Sequence, residues 1–253
     1  AIDSGLYGPQ YGSDHHMNYA YQAIAHNVVT VTDPEDKVPA PGREQPRPIA
    51  NDGGQRRIGS GWGVEPAPLD LAEWNAKHDI YHTGTVEQRL DEDGLAVAQA
   101  DVTPAYTNAL SGRGTFSHRT RRVERLWRTF GYDRVEDVIV VFDQVRATKA
   151  SFRKRWLLHT LNEPAVSGQG FRVRVAPQSR PGRAGGSLAA NVLLPKDASI
   201  TAVGGRGLEF FVDGVNYDEH GTLLKDNRRT GPANGEPGAW RVEISPAREN
   251  ADD

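Results

Sequence analysis

The sequence predicts an all-β protein, a large antiparallel β-sandwich. Across its 253 residues, 27 glycines and 16 prolines cluster between short β-branched and aromatic segments, as expected for strands that end at turns. Phe171 to Val175 and Trp240 to Ile244 alternate apolar and charged residues, which predicts one face on a core and the other in water. Val138 to Phe142 is apolar throughout, so we expect this strand to lie between two layers.

Further strands are predicted where similar runs are bounded by turn residues. In chain order the predicted strands are Asn27 to Thr32, Ile80 to Gln88, Leu95 to Ala100, Arg121 to Phe130, Val138 to Phe142, Phe152 to Leu161, Phe171 to Ala176, Leu188 to Leu194, Glu209 to Val212 and Trp240 to Ile244. Leu69 to Ala76 has the pattern of a two-turn helix. Asp33 to Pro48 contains five prolines and predicts an exposed loop.

The chain is predicted to form one domain, residues 1–253. It opens on Ala1, has a single methionine, Met17, and ends in a polar tail, Glu249 to Asp253. We therefore expect it to be a fragment of a longer protein, truncated at both ends.

Composition excludes several classes of function. The chain has 30 basic and 33 acidic residues, a net charge of −3, which argues against nucleic-acid or membrane-surface binding. It has no cysteine, so disulfides, thiolate metal sites and thiol nucleophiles are excluded. No apolar run approaches the ~20 residues that cross a bilayer. Neither a phosphate-binding loop nor a Gly-x-Ser-x-Gly nucleophile motif is present.

Two residues near the start of the chain are of metal-ligand type. Asp3 is a carboxylate in an Asp-x-Gly turn, and His26 is an imidazole at the head of the predicted strand Asn27 to Thr32. Two ligands do not complete a zinc site, so a third would be a nearby histidine or would precede residue 1. Structural alternatives remain open, because Asp-x-Gly is ordinary turn chemistry and a histidine before a buried strand is often a satisfied core residue.

Two other segments could contact a substrate. The segment from Tyr7 to Tyr21 is dense in tyrosine and histidine, which suits proton transfer and stacking on a sugar, although such rings can also simply cover one end of a sandwich. The segment Arg119 to Arg128 holds five arginines, which could bind carboxylates or sulfates, or could be the solvated charges of an edge strand. We expect His159, between apolar neighbours, to be buried and structural.

The order of short motifs along nearly the whole chain resembles one family. The motifs are Asp3-Ser-Gly5, Tyr7, Tyr11 to His15, Asn18-Tyr19, Ile24 to Asn27, Asp33-Pro34, Asn51 to Arg56, Asp101 to Tyr106, Val140 to Asp143, Arg155 to Thr160, Leu193 to Pro195, Val203 to Gly205, Phe211 to Gly214 and Trp240 to Glu243. In this order they resemble the β-sheet region of heparinase II/III-like polysaccharide lyases.

The resemblance implies a periplasmic or secreted lyase, an α/α-toroid joined to an antiparallel β-sandwich, that cleaves uronic-acid polysaccharides such as glycosaminoglycans by β-elimination. This chain matches the sandwich only. The implied partners are therefore an acidic polysaccharide and a toroid domain of the same protein. A toroid would supply most of the catalytic groups, so we expect the isolated chain to be inactive.

The resemblance also implies roles for individual residues. Asp3 and His26 match two of the family's zinc ligands, and the third, from a His-x-His segment, would fall upstream of residue 1. Tyr7 and Tyr11 match tyrosines that line the cleft, with Tyr11 the expected acid, or base and acid in turn. His15, Tyr19, Asn27 and Arg119 are expected to contact the substrate.

The chain departs from the family pattern at two places. It has Gln22-Ala23 where many relatives carry Arg-Thr, and Gly8-Pro9 where an acidic residue is common. Two other functions remain open. A non-catalytic carbohydrate-binding sandwich would need an aromatic face but no metal, and a structural sandwich would need neither.

Overall fold

The computed structural model of the chain describes residues 23–34, 37–39, 46–48, 53, 68–107, 122–176, 185–205, 208, 211–212, 215–216 and 240–249. Its secondary structure consists mainly of antiparallel β-strands, with three short α-helices in the described ranges. The predicted all-β antiparallel fold is therefore confirmed. No helix of the described residues is long and apolar enough to cross a membrane.

The elements have the following bounds. The helices are α1 (Leu71–Ala76), α2 (His78–Tyr81) and α3 (Pro104–Thr107), and a 3-10 turn covers Ala23–Ala25. The strands are β1 (Val29–Thr32), β2 (Lys37–Pro39), β3 (Pro46–Pro48), β4 (Thr85–Glu92), β5 (Leu95–Asp101), β6 (Val123–Asp133), β7 (Val138–Ala147), β8 (Arg153–Thr160), β9 (Ala165–Ser167), β10 (Gly170–Val175), β11 (Gly186–Asn191), β12 (Ser199–Val203), β13 (Phe211–Val212), β14 (Val215–Asn216) and β15 (Trp240–Ser245).

A four-stranded antiparallel sheet, ordered β1-β8-β15-β12, forms the central layer. Its register pairs Val29 with Trp156 and Trp156 with Ile244, and paired residues share a face of the sheet. The apolar residues of this face pack into two cores. One core is built around β1 and the other around β15.

Two further sheets cover this apolar face. A meander, β4-β5-β6-β7, contributes Leu126 and Val145 from its inner end to the core around Val29, and α3 adds the buried Tyr106. The sheet β11-β10-β9 contributes Phe171 and Val173 to the second core. The described sheets thus pack on one another as in a sandwich, with side chains of facing sheets in each core.

The opposite face of the central sheet is polar yet buried. Thr30, His159 and Arg241 on this face are each exposed by 3% or less. This finding corrects the expectation for Trp240 to Ile244, where alternation predicts charged residues in water. Alternation correctly assigns β10, in which Phe171 and Val173 are buried and the intervening arginines are exposed. In β15 neither face is exposed, since each of its residues is buried or half-buried.

The expectation that Val138 to Phe142 lies between two layers is wrong. These five residues begin β7 and are 37% to 59% exposed. The meander reaches beyond the central sheet, so only the far end of β7, at Val145 and Ala147, enters a core. Apolar side chains on both faces of a strand therefore do not ensure burial on both faces here.

The edge-strand interpretation of the arginine-rich segment is also wrong. β6 pairs with β5 on one side and β7 on the other. Arg122, just before β6, is fully buried. Burial lowers the pKa of Arg122 to about 10, although the negative charge of Asp33 acts to raise it. Arg125 lies exposed over the ring of Trp127. The arginines of this strand therefore have individual structural roles.

Three other segments differ from expectation. The predicted loop Asp33 to Pro48 contains a short antiparallel pair, β2 with β3. Ile80, where a strand was predicted to begin, lies within the helix α2. The tail residue Glu249 accepts hydrogen bonds from the backbone N–H and Nζ of Lys154, at 3.2 to 3.3 Å, so the start of the tail is tied to β8.

The predicted helix Leu69 to Ala76 is confirmed as α1. Asp70 caps it by accepting from the N–H of Glu73 at 2.8 Å. Glu73 in turn pairs with Lys77 one turn later, at 2.8 Å. The sequence pattern placed this element correctly because its cap and its ion pair are local.

Gly53 fits tightly against β1. It has a φ of +58°, its carbonyl accepts from the N–H of Val31 at 3.0 Å, and an added Cβ would lie 2.7 Å from Thr30 Cβ. We predict that Gly53→Ala lowers the free energy of unfolding by about 2 to 4 kcal/mol, as the sum of left-handed strain and overpacking. Urea unfolding of the purified chain measures the change.

Gly168→Ala is the matched control. Gly168 has nearly the same φ, +56°, but an added Cβ would meet nothing within 4 Å. We expect this variant to lose only the strain contribution, about 1 to 2 kcal/mol. Equal losses for the two variants would show that Gly53 is not packed against β1.

Candidate functional site

His26 is held in a turn at the head of β1. Its backbone N–H donates to the carbonyl of Ala23 at 3.0 Å, and its own carbonyl accepts from the N–H of Val28 at 3.1 Å. The preceding 3-10 turn is buried, whereas His26 is half-buried. The backbone on both sides is therefore fixed, and the imidazole lies at the border between the interior and the surface.

Asn27 joins this turn to β8. Its carboxamide oxygen accepts from the backbone N–H of His159 at 2.7 Å and lies 3.2 Å from Nδ1 of the His159 ring. His159 is 1% exposed, so its predicted burial is confirmed. The structure adds that His159 contacts the residue next to His26. Asn27 thus has a structural contact, and its substrate-binding role stays a prediction.

A salt bridge in the meander also reaches the turn. Arg128 on β6 binds Asp143 on β7 with two hydrogen bonds of 2.7 and 2.9 Å, and donates from a third nitrogen to the carbonyl of Asn27 at 3.4 Å. Burial lowers the pKa of Arg128, but the bonds and charge of Asp143 outweigh burial and hold that pKa above its usual value. Both sheets therefore fix the backbone beside His26.

Buried charges continue along the polar face of the central sheet. Glu243 on β15 accepts from Arg241 at 2.6 and 2.8 Å and lies 3.5 Å from Arg155 on β8. Arg241 also donates to the carbonyl of Phe211 at 2.7 Å. This set is a structural network, because its groups are directed at one another and at backbone.

Most of the predicted site residues lie outside the described ranges. These are the expected metal ligand Asp3, the expected catalytic residues Tyr7 and Tyr11, and the expected substrate contacts His15, Tyr19 and Arg119. Their roles, and the predicted proximity of Asp3 to His26, stay predictions. Of the predicted set, the structure describes His26 and Asn27, which are neighbours in one turn.

A zinc site is not complete within the described part of the chain. No group of three or more histidine, aspartate or glutamate side chains there could hold a metal ion. His26 is of a suitable ligand type, and the other expected ligands are Asp3 and a residue upstream of residue 1.

No model of a known protein family matches the chain, and no curated protein does.

The structure also reveals an aromatic strip that sequence reasoning missed. Trp74 on α1 stacks on the buried Tyr81 at 5.9 Å and meets His78 edge-on at 6.5 Å. His78 in turn stacks on His82, with ring centroids 4.3 Å apart. The available signal was the four-residue spacing of Trp74, His78 and His82, which places all three on one side of a helix. Because a strand was predicted to begin at Ile80, His82 was not considered as part of a helical pattern with Trp74 and His78.

We predict that Asn27→Ala lowers the free energy of unfolding by about 1 to 3 kcal/mol, because the buried N–H of His159 loses this acceptor. Asn27→Asp keeps an oxygen at the same place and should cost less. Urea unfolding measures both variants. Equal losses would show that the hydrogen bond to His159 contributes little to stability.

Proposed function

We propose that this chain is the β-sandwich part of a polysaccharide lyase that cleaves uronic-acid glycans by β-elimination. In this proposal an acidic polysaccharide is the substrate, an α/α-toroid of the same protein is the partner domain, and the protein acts in the periplasm or outside the cell. Zinc is bound by Asp3, His26 and a ligand upstream of residue 1.

The order of the family-like motifs supports this proposal, and the antiparallel all-β fold is compatible with it. The observation that carries it is the turn at His26. An imidazole that coordinates a metal must be held in place, and here backbone hydrogen bonds fix the turn on both sides of the ring. Asn27 and Arg128 connect this turn to β8 and to the meander.

β-Elimination needs three groups around one uronate. The C5 carboxylate must be neutralised so that the C5 proton becomes acidic, a base must take that proton, and an acid must protonate the leaving oxygen. Tyr11 is the proposed acid, or base and acid in turn, with Tyr7 beside it. His15, Tyr19, Asn27 and Arg119 are the proposed sugar contacts. Zinc would fix the tyrosine-rich segment relative to β1.

Zinc content tests the metal part of the proposal. We predict that the protein, extended upstream to include the third ligand, binds one zinc ion and that His26→Ala or Asp3→Ala weakens zinc binding at least about tenfold, since each removes a direct ligand. Elemental analysis after dialysis and competition with a chelator measure this.

The control for zinc is His82→Ala, which removes a histidine from the aromatic strip and should leave zinc content unchanged. Zinc binding that persists in His26→Ala would exclude His26 as a ligand.

Activity tests the reaction itself. We predict that the protein extended to include a toroid produces unsaturated uronate from at least one uronate polysaccharide. We expect the isolated chain to be slower by several orders of magnitude, because positioned catalytic groups are missing. Ultraviolet absorbance of the product follows the reaction across a panel of polysaccharides. Equal rates would place the whole catalytic set within these residues, and no product on any substrate would favour a binding role.

The aromatic strip favours a second candidate function, a non-catalytic carbohydrate-binding sandwich. Aromatic rings such as Trp74 provide apolar faces on which a pyranose can stack, and His78 and His82 extend this row of rings. His78 is exposed and Trp74 is half-buried, so parts of the strip are accessible. This function would need no metal, and zinc content therefore separates it from the lyase.

For the binding function we predict that Trp74→Ala weakens the binding of uronate oligosaccharides by about tenfold, since one stacking surface is lost. Asn75→Ala, an exposed neutral position of α1, is the control and should change affinity less than about threefold. Isothermal titration calorimetry measures both. Unchanged affinity in Trp74→Ala would remove the strip from the carbohydrate site.

A further inference from the structure

The outer half of the meander has an exposed apolar groove. Strand register places Leu95, Val97, Val138, Val140 and Phe142 on one face, where they line a groove of about 420 Å³. Its floor is at Gly131, which lies between Val97 and Val140 and has no side chain to fill the space. Large exposed apolar surfaces of this kind usually mark an interaction site.

Among the residues that the structure describes, the charged side chains on the groove face at the outer end of the meander are acidic, whereas Arg134, in the same turn as Glu136, pairs with Asp91 at 2.8 Å on the other face. Glu92 and Asp133 lie on the same face of the meander, and Glu136 in the β6–β7 turn lines the groove. The nearest basic residues on this face of β6 and β7 are Arg125 and Arg146, at the inner end of the strands. Arg125 is four residues from Thr129, at the inner end of the groove, and eight residues from Asp133, or about 13 and 27 Å along an extended strand. An anionic polysaccharide is therefore disfavoured at the acidic outer end of the groove.

A second copy of the chain is also disfavoured as the occupant. Two grooves stacked face to face with their strands running in the same direction would bring Glu92, Asp133 and Glu136 of each copy close to those of the other. Like charges placed together at an interface cost several kcal/mol. Asp133 is moreover fixed where it is, because its carboxylate accepts from the backbone N–H of Val135 and Glu136 at 2.9 and 3.1 Å.

We propose that this groove docks a cationic amphipathic segment of a partner protein. Apolar side chains of the segment fill the space above Gly131 and contact Val140 and Phe142. Its lysine or arginine side chains pair with Glu92 and Glu136 at the acidic end. Apolar contact supplies most of the affinity, and the acidic border selects the charge of the partner.

Adjacent residues of β7 allow a matched test. Val140 faces the groove and Val141 faces the other side of the meander, and both are exposed, at 53% and 37%. A fluorescent amphipathic helical peptide of leucine and lysine is the probe, and its counterpart with glutamate in place of lysine is the charge control. Fluorescence anisotropy gives the affinities. Circular dichroism and melting temperature check that Val140→Lys and Val141→Lys fold alike.

We expect the leucine–lysine peptide to bind the native chain, more weakly at high salt, and the leucine–glutamate peptide to bind at least about tenfold less tightly. Val140→Lys should weaken binding about tenfold or more, and Val141→Lys less than about threefold. Equal effects of the two substitutions, or equal affinity for the two peptides, would overturn the proposal. So would self-association of the native chain in sedimentation velocity that Val140→Lys abolishes, because the occupant would then be a second copy.

Discussion

Burial of both faces of the central sheet is the constraint on which the rest of the structure depends. One face supplies the apolar residues of two cores, and the other face is polar but buried at Thr30, His159 and Arg241. Polar groups removed from water must be paired, since each unpaired one costs on the order of 1 to 3 kcal/mol. This requirement explains the bonds of Glu243 to Arg241, of Lys154 to Glu249 and of Asn27 to His159. It also explains why the turn before β1 is fixed from two sides.

Local pattern predicted the elements whose environment is local. β10 has alternating burial, and α1 has its cap and its ion pair within one turn, so both follow from the residues themselves. The burial of Arg241 and the exposure of Val138 to Phe142 could not be predicted in this way. The burial of Arg241 depends on its contacts with Glu243 and with the carbonyl of Phe211, and the exposure of Val138 to Phe142 depends on how far the meander extends beyond the central sheet, so both are set by tertiary contacts. β6 shows the same limit, because an arginine-rich strand can be internal when its charges have partners such as Asp143.

The candidate site follows the same division. From the sequence alone, His26 was predicted as a possible metal ligand and His159 as a buried residue, but no contact between their two segments was predicted. The link is the Asn27 side chain, which spans from residue 27 to residue 159, a contact without a local pattern. The aromatic strip at Trp74 was missed for a different reason, because its rings lie on two successive short helices, α1 and α2, and on His82 at the end of α2, where a strand was predicted. The two proposed binding surfaces also differ in charge, since the acidic end of the meander groove does not suit the acidic polymer proposed as substrate.

The central claim is that His26, fixed at the head of β1, is a zinc ligand. Anomalous diffraction at the zinc edge, from crystals of the protein extended upstream of residue 1, tests it most directly. The account predicts an anomalous peak about 2.0 to 2.1 Å from a ring nitrogen of His26, with a carboxylate oxygen of Asp3 at about 2.0 to 2.2 Å from the same peak. A zinc peak elsewhere, with the His26 ring bonded only to protein groups, would contradict the claim.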